Sequence, residues 1–177
     1  MQKYFWNKPF WEQPIAMFDD FYRVGLRSSY TAGCHAAKIM SQQQSDLIVN
    51  ISFFSTRRYW LNAAHGVYKA ATDTLTTDMA HDLEAHKVSV FSLYPGTVST
   101  EGMLEAAKYN PAFDINQMES PRFIGRCVSA MALDPSIHSK TGSVMIVAEL
   151  AKEYQITDIN GNQPRSLRSE LWPGQVI

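Results

Sequence analysis

Two short apolar runs, Leu47–Ile51 and Val88–Tyr94, constrain the fold of this chain more than any other feature. The first is bounded by polar residues and is too short for a helix. Its composition is that of a strand buried on both faces, as in parallel sheets. The second ends at Pro95-Gly96, a strong turn signal. Between them, Ala63 to Ala85 carries Val67, Ala71, Leu75, Met79 and Leu83 at four-residue spacing, the pattern of a helix with one apolar side. A strand, a helix and a further strand of this kind imply parallel pairing through a right-handed crossover.

The rest of the chain extends this pattern. Asn7 to Gln13 reads as a loop containing Pro9, and Pro14 suits the first turn of a long helix that reaches Met40. Asp19 and Asp20 lie near its N-terminal end, which favours the helix dipole. A short helix is expected over Glu101 to Lys108, broken by Asn110-Pro111. Ser120-Pro121 is an N-cap followed by a first helical residue. The helix it opens buries Phe123, Ile124, Cys127, Val128 and Met131 and stops at Asp134-Pro135. Thr141-Gly142 turns into a third strand, Ser143 to Val147, and the tail from Glu149 is expected on the surface. The fold class is therefore α/β, a Rossmann-like doubly wound parallel sheet in one domain over residues 1–177. Three strands make a thin sheet, and the edge of Leu47–Ile51 lacks the usual protection by Lys, Pro or a bulge. Strands N-terminal to it are expected to be missing, which makes the domain a partial one.

Composition excludes several classes. The net charge is −1 with no Lys/Arg block, which argues against a nucleic-acid surface. No apolar run approaches a membrane span, and the N-terminus lacks the apolar core of a signal peptide, so a cytoplasmic location is expected. Cys34 and Cys127 each fall in helical, apolar surroundings and read as reduced thiols. His81 and His86 are five residues apart, the wrong spacing for a helical metal pair. The aromatic N-terminus (Tyr4, Phe5, Trp6, Phe10, Trp11) reads as packing rather than as a stacking platform for bases.

The chemistry concentrates near the ends of the first two strands. Ser52 closes the first, and His65 and Lys69 are four residues apart on the helix that follows, hence side by side on one face. Pro95-Gly96-Thr97-Val98-Ser99-Thr100 follows the second strand at the same end, where α/β sheets place ligands. Ser52, His65 and Asp73 also invite comparison with a hydrolase triad. No G-x-S-x-G turn exists, however, and Asp73 lies two helical turns from His65.

Asn50-Ile51-Ser52, then Lys69-Ala70-Ala71, then Pro95 to Thr100, in that order and spacing, resemble the short-chain dehydrogenase/reductases. Phe10-Trp11-Glu12, Asp19-Asp20, Val24-Gly25-Leu26-Arg27, Ala80-His81-Asp82-Leu83 and Ile159-Asn160-Gly161 fit the same family, so the likeness runs from about Asn7 to Ser169. The resemblance implies hydride transfer between NAD or NADP and a small or lipid-like carbonyl or alcohol. By position, Ser52 would hold the substrate oxygen. Lys69 would bind the nicotinamide ribose, and Pro95, Gly96, Val98 and Thr100 would border the cofactor, with Val98 and Thr100 at the carboxamide. It also implies pairing with another copy or a longer relative through the helices Pro14 to Met40 and Ala63 to Ala85.

Three departures stand out. His65 occupies the place of the family's catalytic tyrosine, Arg23 that of its helix asparagine, and no G-x-x-x-G-x-G turn occurs. Without that turn there is no ready cradle for the pyrophosphate. His65 thus marks a degenerate site, an imidazole that itself acts as acid/base, or a splicing or gene-model fault. Tyr59 could lean in from the preceding loop, and Tyr68 should point to another side of the helix. The expectation is an impaired oxidoreductase; the alternative is a non-catalytic partner of a full-length homologue.

Overall fold

A computed structural model describes residues 8–54, 58–110 and 113–171. Tyr4, Phe5, Trp6 and Pro111 lie outside the described residues. The first helical segment follows Pro14, whose backbone is extended at φ −66° and ψ 136°. It comprises α1 (Ile15–Asp20), a π-helical stretch Phe21–Leu26, and α2 (Arg27–Gln43). Ser28 and Ser29 each donate a hydroxyl to the Gly25 carbonyl at 3.1 Å, which ties down the widened turn. Gln44 ends α2 in the left-handed conformation at φ 58°, and its N–H donates to Met40 O at 3.0 Å.

Three parallel strands follow in the order β1 (Leu47–Ile51), β2 (Ser89–Tyr94), β3 (Val144–Ile146). Leu47 stands opposite Ser89 and Ile51 opposite Leu93, while Ser92 stands opposite Val144. The helix α3 (Ala63–Leu83) crosses from β1 to β2. From β2 to β3 the chain passes through α4 (Glu101–Ala107) and α5 (Pro121–Leu133). Ser120 caps α5 as expected, its Oγ accepting the Phe123 N–H at 3.2 Å.

The central strand separates two packed layers. Phe91 and Leu93 face one side and bury against Phe123, Cys127 and Met131 of α5. Val88 and Val90 face the other and meet Ala80 and Leu83 of α3. Full burial of each such side chain contributes roughly 1.5–3 kcal/mol, so β2 is the anchor of the fold. Helices on both faces of a parallel sheet confirm the α/β, Rossmann-like arrangement.

Several expectations need correction. Of the four-residue row on α3 only Leu83 is buried: Val67 is 54% exposed, Ala71, Leu75 and Met79 are half-buried, and the helix also buries His65, Lys69, Thr72, Thr76 and Ala80. This polar face is satisfied locally. Thr76 Oγ1 receives the Asn50 amide at 2.9 Å and donates to Thr72 O, and Thr72 donates to Tyr68 O. Nor is β1 buried on both faces; Leu47, Ile48 and Val49 are half-buried and Ile51 is 45% exposed. Among the described residues β1 pairs only with β2, and an open groove separates its other side from Ser29, Gly33, Ala36 and Met40 of α2. The segment after β3 is not a surface tail either. It forms α6 (Val147–Glu153), whose Val147, Ala148, Leu150 and Ala151 are buried. A last turn, α7 (Arg168–Leu171), is held by Arg168, which forks onto the Glu149 carboxylate at 2.6–3.1 Å.

Candidate active site at the carboxyl ends of the strands

Ser52 prolongs the β1–β2 pairing by donating its N–H to Leu93 O at 2.8 Å. Its hydroxyl donates to Lys69 O at 3.2 Å. Lys69 in turn reaches back, Nζ donating to Ile51 O at 2.9 Å. The two elements are thus cross-tied at the point where β1 ends. Ser52, His65 and Lys69 are all buried, at 1%, 8% and 9% exposure, with Ser52 bonded directly to Lys69 and His65 one turn before it on α3.

His65 sits one turn before Lys69. Asn62 caps the helix there, its Oδ1 accepting the His65 N–H at 2.9 Å. The imidazole has aromatic neighbours on several sides, with ring centres 5.3 Å from Tyr68, 5.9 Å from Phe21 and 6.3 Å from Phe53. Burial among them, reinforced by the Lys69 charge, pulls its pKa down to about 4. The ring is neutral at neutral pH. Burial also lowers Lys69 to about 8, against the opposing pull of Asp73, so the ammonium form still dominates at pH 7.

Tyr68 stacks on Phe21 at 5.1 Å, and the Lys69 ammonium lies 4.7 Å from its ring centre. Burial pushes the phenol up to about 12. The ring reaches this position because residue 25 is glycine: a Cβ there would meet the Tyr68 ring at 2.7 Å. Tyr59 does not lean in; it is 73% exposed and its hydroxyl turns to Leu61 O at 3.4 Å. Arg23 is exposed in the π-helical stretch.

Asp73 forms no triad with His65. Its carboxylate accepts the Ser92 hydroxyl at 2.5 Å and the hydroxyl of Tyr94, both fully buried on β2. Sequence reading missed this pair of bonds. The signal available was the polar alternation of Ser92 and Tyr94 on the side of β2 that faces α3.

Pro95 and Gly96 leave β2 at the same end of the sheet. Val98 forms an isolated parallel bridge with Glu119, and Thr100 caps α4, its Oγ1 accepting the Met103 N–H at 3.3 Å. Glu119, also unforeseen, is 2% exposed, and its Oε1 has no hydrogen-bond partner among the described residues. Its Oε2 lies 3.0 Å from the place a Cβ on Gly96 would occupy. Burial raises this carboxyl to about 7, with the Gly96 N–H pulling the other way and Asp158 adding a small push up.

A family model described as enoyl-(acyl carrier protein) reductase matches residues 1–134. The chain is 40% identical over 165 residues to "Dehydrogenase/reductase SDR family member 1" of Mus musculus, and 38% identical over 167 residues to the protein of the same name from Homo sapiens. Each alignment covers 88% of this chain and 53% of the relative, so the chain spans about half the length of the relatives it matches. Among solved structures, a 3-oxoacyl-[acyl-carrier protein] reductase with bound NAD from Brucella melitensis superposes with a TM-score of 0.64 at 19% identity. That match covers 79% of this chain and 53% of the other, and bears on the fold alone.

Proposed function

This chain belongs to the short-chain dehydrogenase/reductase family, and on that premise we propose that Ser52 and Lys69 are the surviving half of a nicotinamide-dependent oxidoreductase site whose acid/base position is impaired. The observation that carries the reading is the cross-tie of Ser52 and Lys69 beside a desolvated, neutral His65.

The donor set suits the nicotinamide end of NAD or NADP. A lysine ammonium and the Pro95, Gly96, Val98 and Thr100 loop sit at the carboxyl edge of a parallel sheet, where such ligands bind. No G-x-x-x-G-x-G turn occurs in these 177 residues, so the reading concerns the nicotinamide side of the site alone. When bound, the nicotinamide supplies or receives the hydride.

The chain's own residues supply the rest. Ser52 turns its hydroxyl from Lys69 O to the oxygen of a carbonyl substrate and donates to it. Lys69 holds positive charge beside that oxygen and offers N–H donors to ribose hydroxyls. His65 has no imidazolium to give at neutral pH, so the proton that should reach the developing alkoxide lacks its source. A missing general acid costs about 10²–10⁴ in rate. A cytoplasmic place of action belongs to the same reading.

The test is a fluorescence titration with NADH and NADPH, followed by single-turnover reduction of small and lipid-like carbonyls. His65→Tyr should raise the rate by about a hundredfold or more. Equal rates in the two proteins would refute the impaired-acid reading. Lack of saturable nucleotide binding in both would remove its cofactor half.

A second reading, association with another copy or a longer homologue, draws on a different observation. Ile15, Phe18 and Tyr22 line one face of the first helical segment at 82%, 48% and 50% exposure, and Val67 is exposed on α3. Apolar side chains so grouped mark contact surfaces. Sedimentation velocity of the full chain, alone and mixed with a full-length relative, checks it. A lone monomer at tens of micromolar in both samples counts against it.

A further inference from the structure

A buried carboxyl with one oxygen unpartnered is costly and calls for an explanation. Glu119 is such a group, and it lies between the loop after β2 and the start of α5. Its backbone is stitched to the loop after β2: its N–H donates to Thr97 O at 2.9 Å, and its carbonyl accepts the Ser99 N–H at 2.9 Å and the Ser99 hydroxyl at 3.1 Å. Its side chain returns to the beginning of that loop, with Oε2 against Gly96. Its neighbour Ser120 is fixed from the other side by Asp158, which accepts the Ser120 N–H at 2.7 Å and the Ser120 hydroxyl at 2.5 Å.

We propose that Glu119 is a positioning residue for the cofactor loop, its carboxyl holding the Gly96 turn so that Val98 and Thr100 are presented at the carboxyl end of β2. The proposal rests on the nicotinamide-site reading and deepens it. Main-chain bonds from Glu119 reach only Thr97 and Ser99; nothing else among them fixes Gly96, the residue where the chain leaves the sheet. The carboxyl closes that gap. A Cβ at residue 96 would press on Glu119 Oε2 at 3.0 Å, so the glycine and the carboxyl form one close contact. Asp158 and Ser120 hold the base of the clamp rigid, which lets a single side chain set the height of the loop.

Amide hydrogen exchange of the full chain tests this without any ligand. In Glu119→Leu, protection over 96–100 should fall by roughly tenfold, while the β2 amides of Val90 to Leu93 stay protected. Glu119→Gln keeps an acceptor oxygen and should retain the loop's protection within about twofold. If Glu119 merely fills space, Leu would serve as well as Gln or better, and that ranking overturns the proposal. NADH titration of the same proteins separates the two readings. Where the wild-type chain binds, Glu119→Leu should weaken binding by roughly tenfold and Glu119→Gln should not. If the exchange ranking holds but NADH does not bind the wild-type chain, the loop clamp stands and the nicotinamide reading falls.

Discussion

The Lys69 ammonium donates to the carbonyl of Ile51 at 2.9 Å, tying the end of α3's second turn to the last residue of β1. This bond keeps a cation at a site where burial opposes it, and the Ser52 hydroxyl, bonded to Lys69 O at 3.2 Å, sits beside it. The consequence is a strand end whose polar groups are satisfied by one another rather than by water.

Lys69 should leave a mark on the alkaline stability of the protein. Its folded pKa of about 8 lies below the ordinary 10.5, so the unfolded chain binds more protons between these values and stability rises with pH through that window. Cys127, raised to about 11, acts oppositely above pH 9 and Tyr68, raised to about 12, above pH 10, so the rise is clearest from 8 to 9. Urea denaturation across this range should show the rise in the wild-type chain and lose it in Lys69→Met.

His65 and Glu119 should oppose each other in acid. His65, lowered to about 4, contributes stability that is lost as pH falls from 6.5. Glu119, raised to about 7, is better tolerated protonated, so stability is lost as pH rises from 4.5 to 7. Each effect is about 3.4 kcal/mol at most. His65→Phe should therefore make stability fall with rising pH over this range, and Glu119→Gln should make it fall with decreasing pH. Parallel curves for the two variants would contradict the assignment.

Asp73 is the shared acceptor for two fully buried hydroxyls. Asp73→Ala should cost about 2–4 kcal/mol, since Ser92 and Tyr94 both lose a partner. Adding Tyr94→Phe to that variant should recover part of the loss, because one orphaned donor is removed. A chemical-denaturation double-mutant cycle measures both.

Gly25→Ala should destabilise the contact between the π-helical stretch and α3. The new Cβ would meet Tyr68 at 2.7 Å, and the ring, stacked on Phe21, has little room to yield. A loss of about 1–3 kcal/mol is expected, read as a lower midpoint in thermal unfolding. An unchanged midpoint would show that the helices slide apart freely.

Local signals were legible from the residues themselves. The strand runs Leu47–Ile51 and Val88–Tyr94, the Ser120-Pro121 cap and the turn at Pro95-Gly96 each depend on neighbours within a few positions, and each appears in the fold within a residue or two. The short α6 escaped notice because its seven residues begin where β3 ends, and its burial is set by α5 and Phe91, remote in sequence.

The buried face of α3 was misread for a deeper reason. Hydrophobic periodicity assumes that the inward side is apolar, yet here Thr72, Thr76, Lys69 and His65 face inward because Asn50 and Ile51 on β1, and the helix's own carbonyls, offer them partners. The sequence by itself determined the strand–helix alternation, the family and the placing of Ser52 and Lys69 at one end of the sheet. Only the tertiary structure decided that His65 is neutral, that Asp73 serves β2 and that Glu119 is buried against Gly96. Those outcomes depend on desolvation and on partners far along the chain, and neither is written in local spacing.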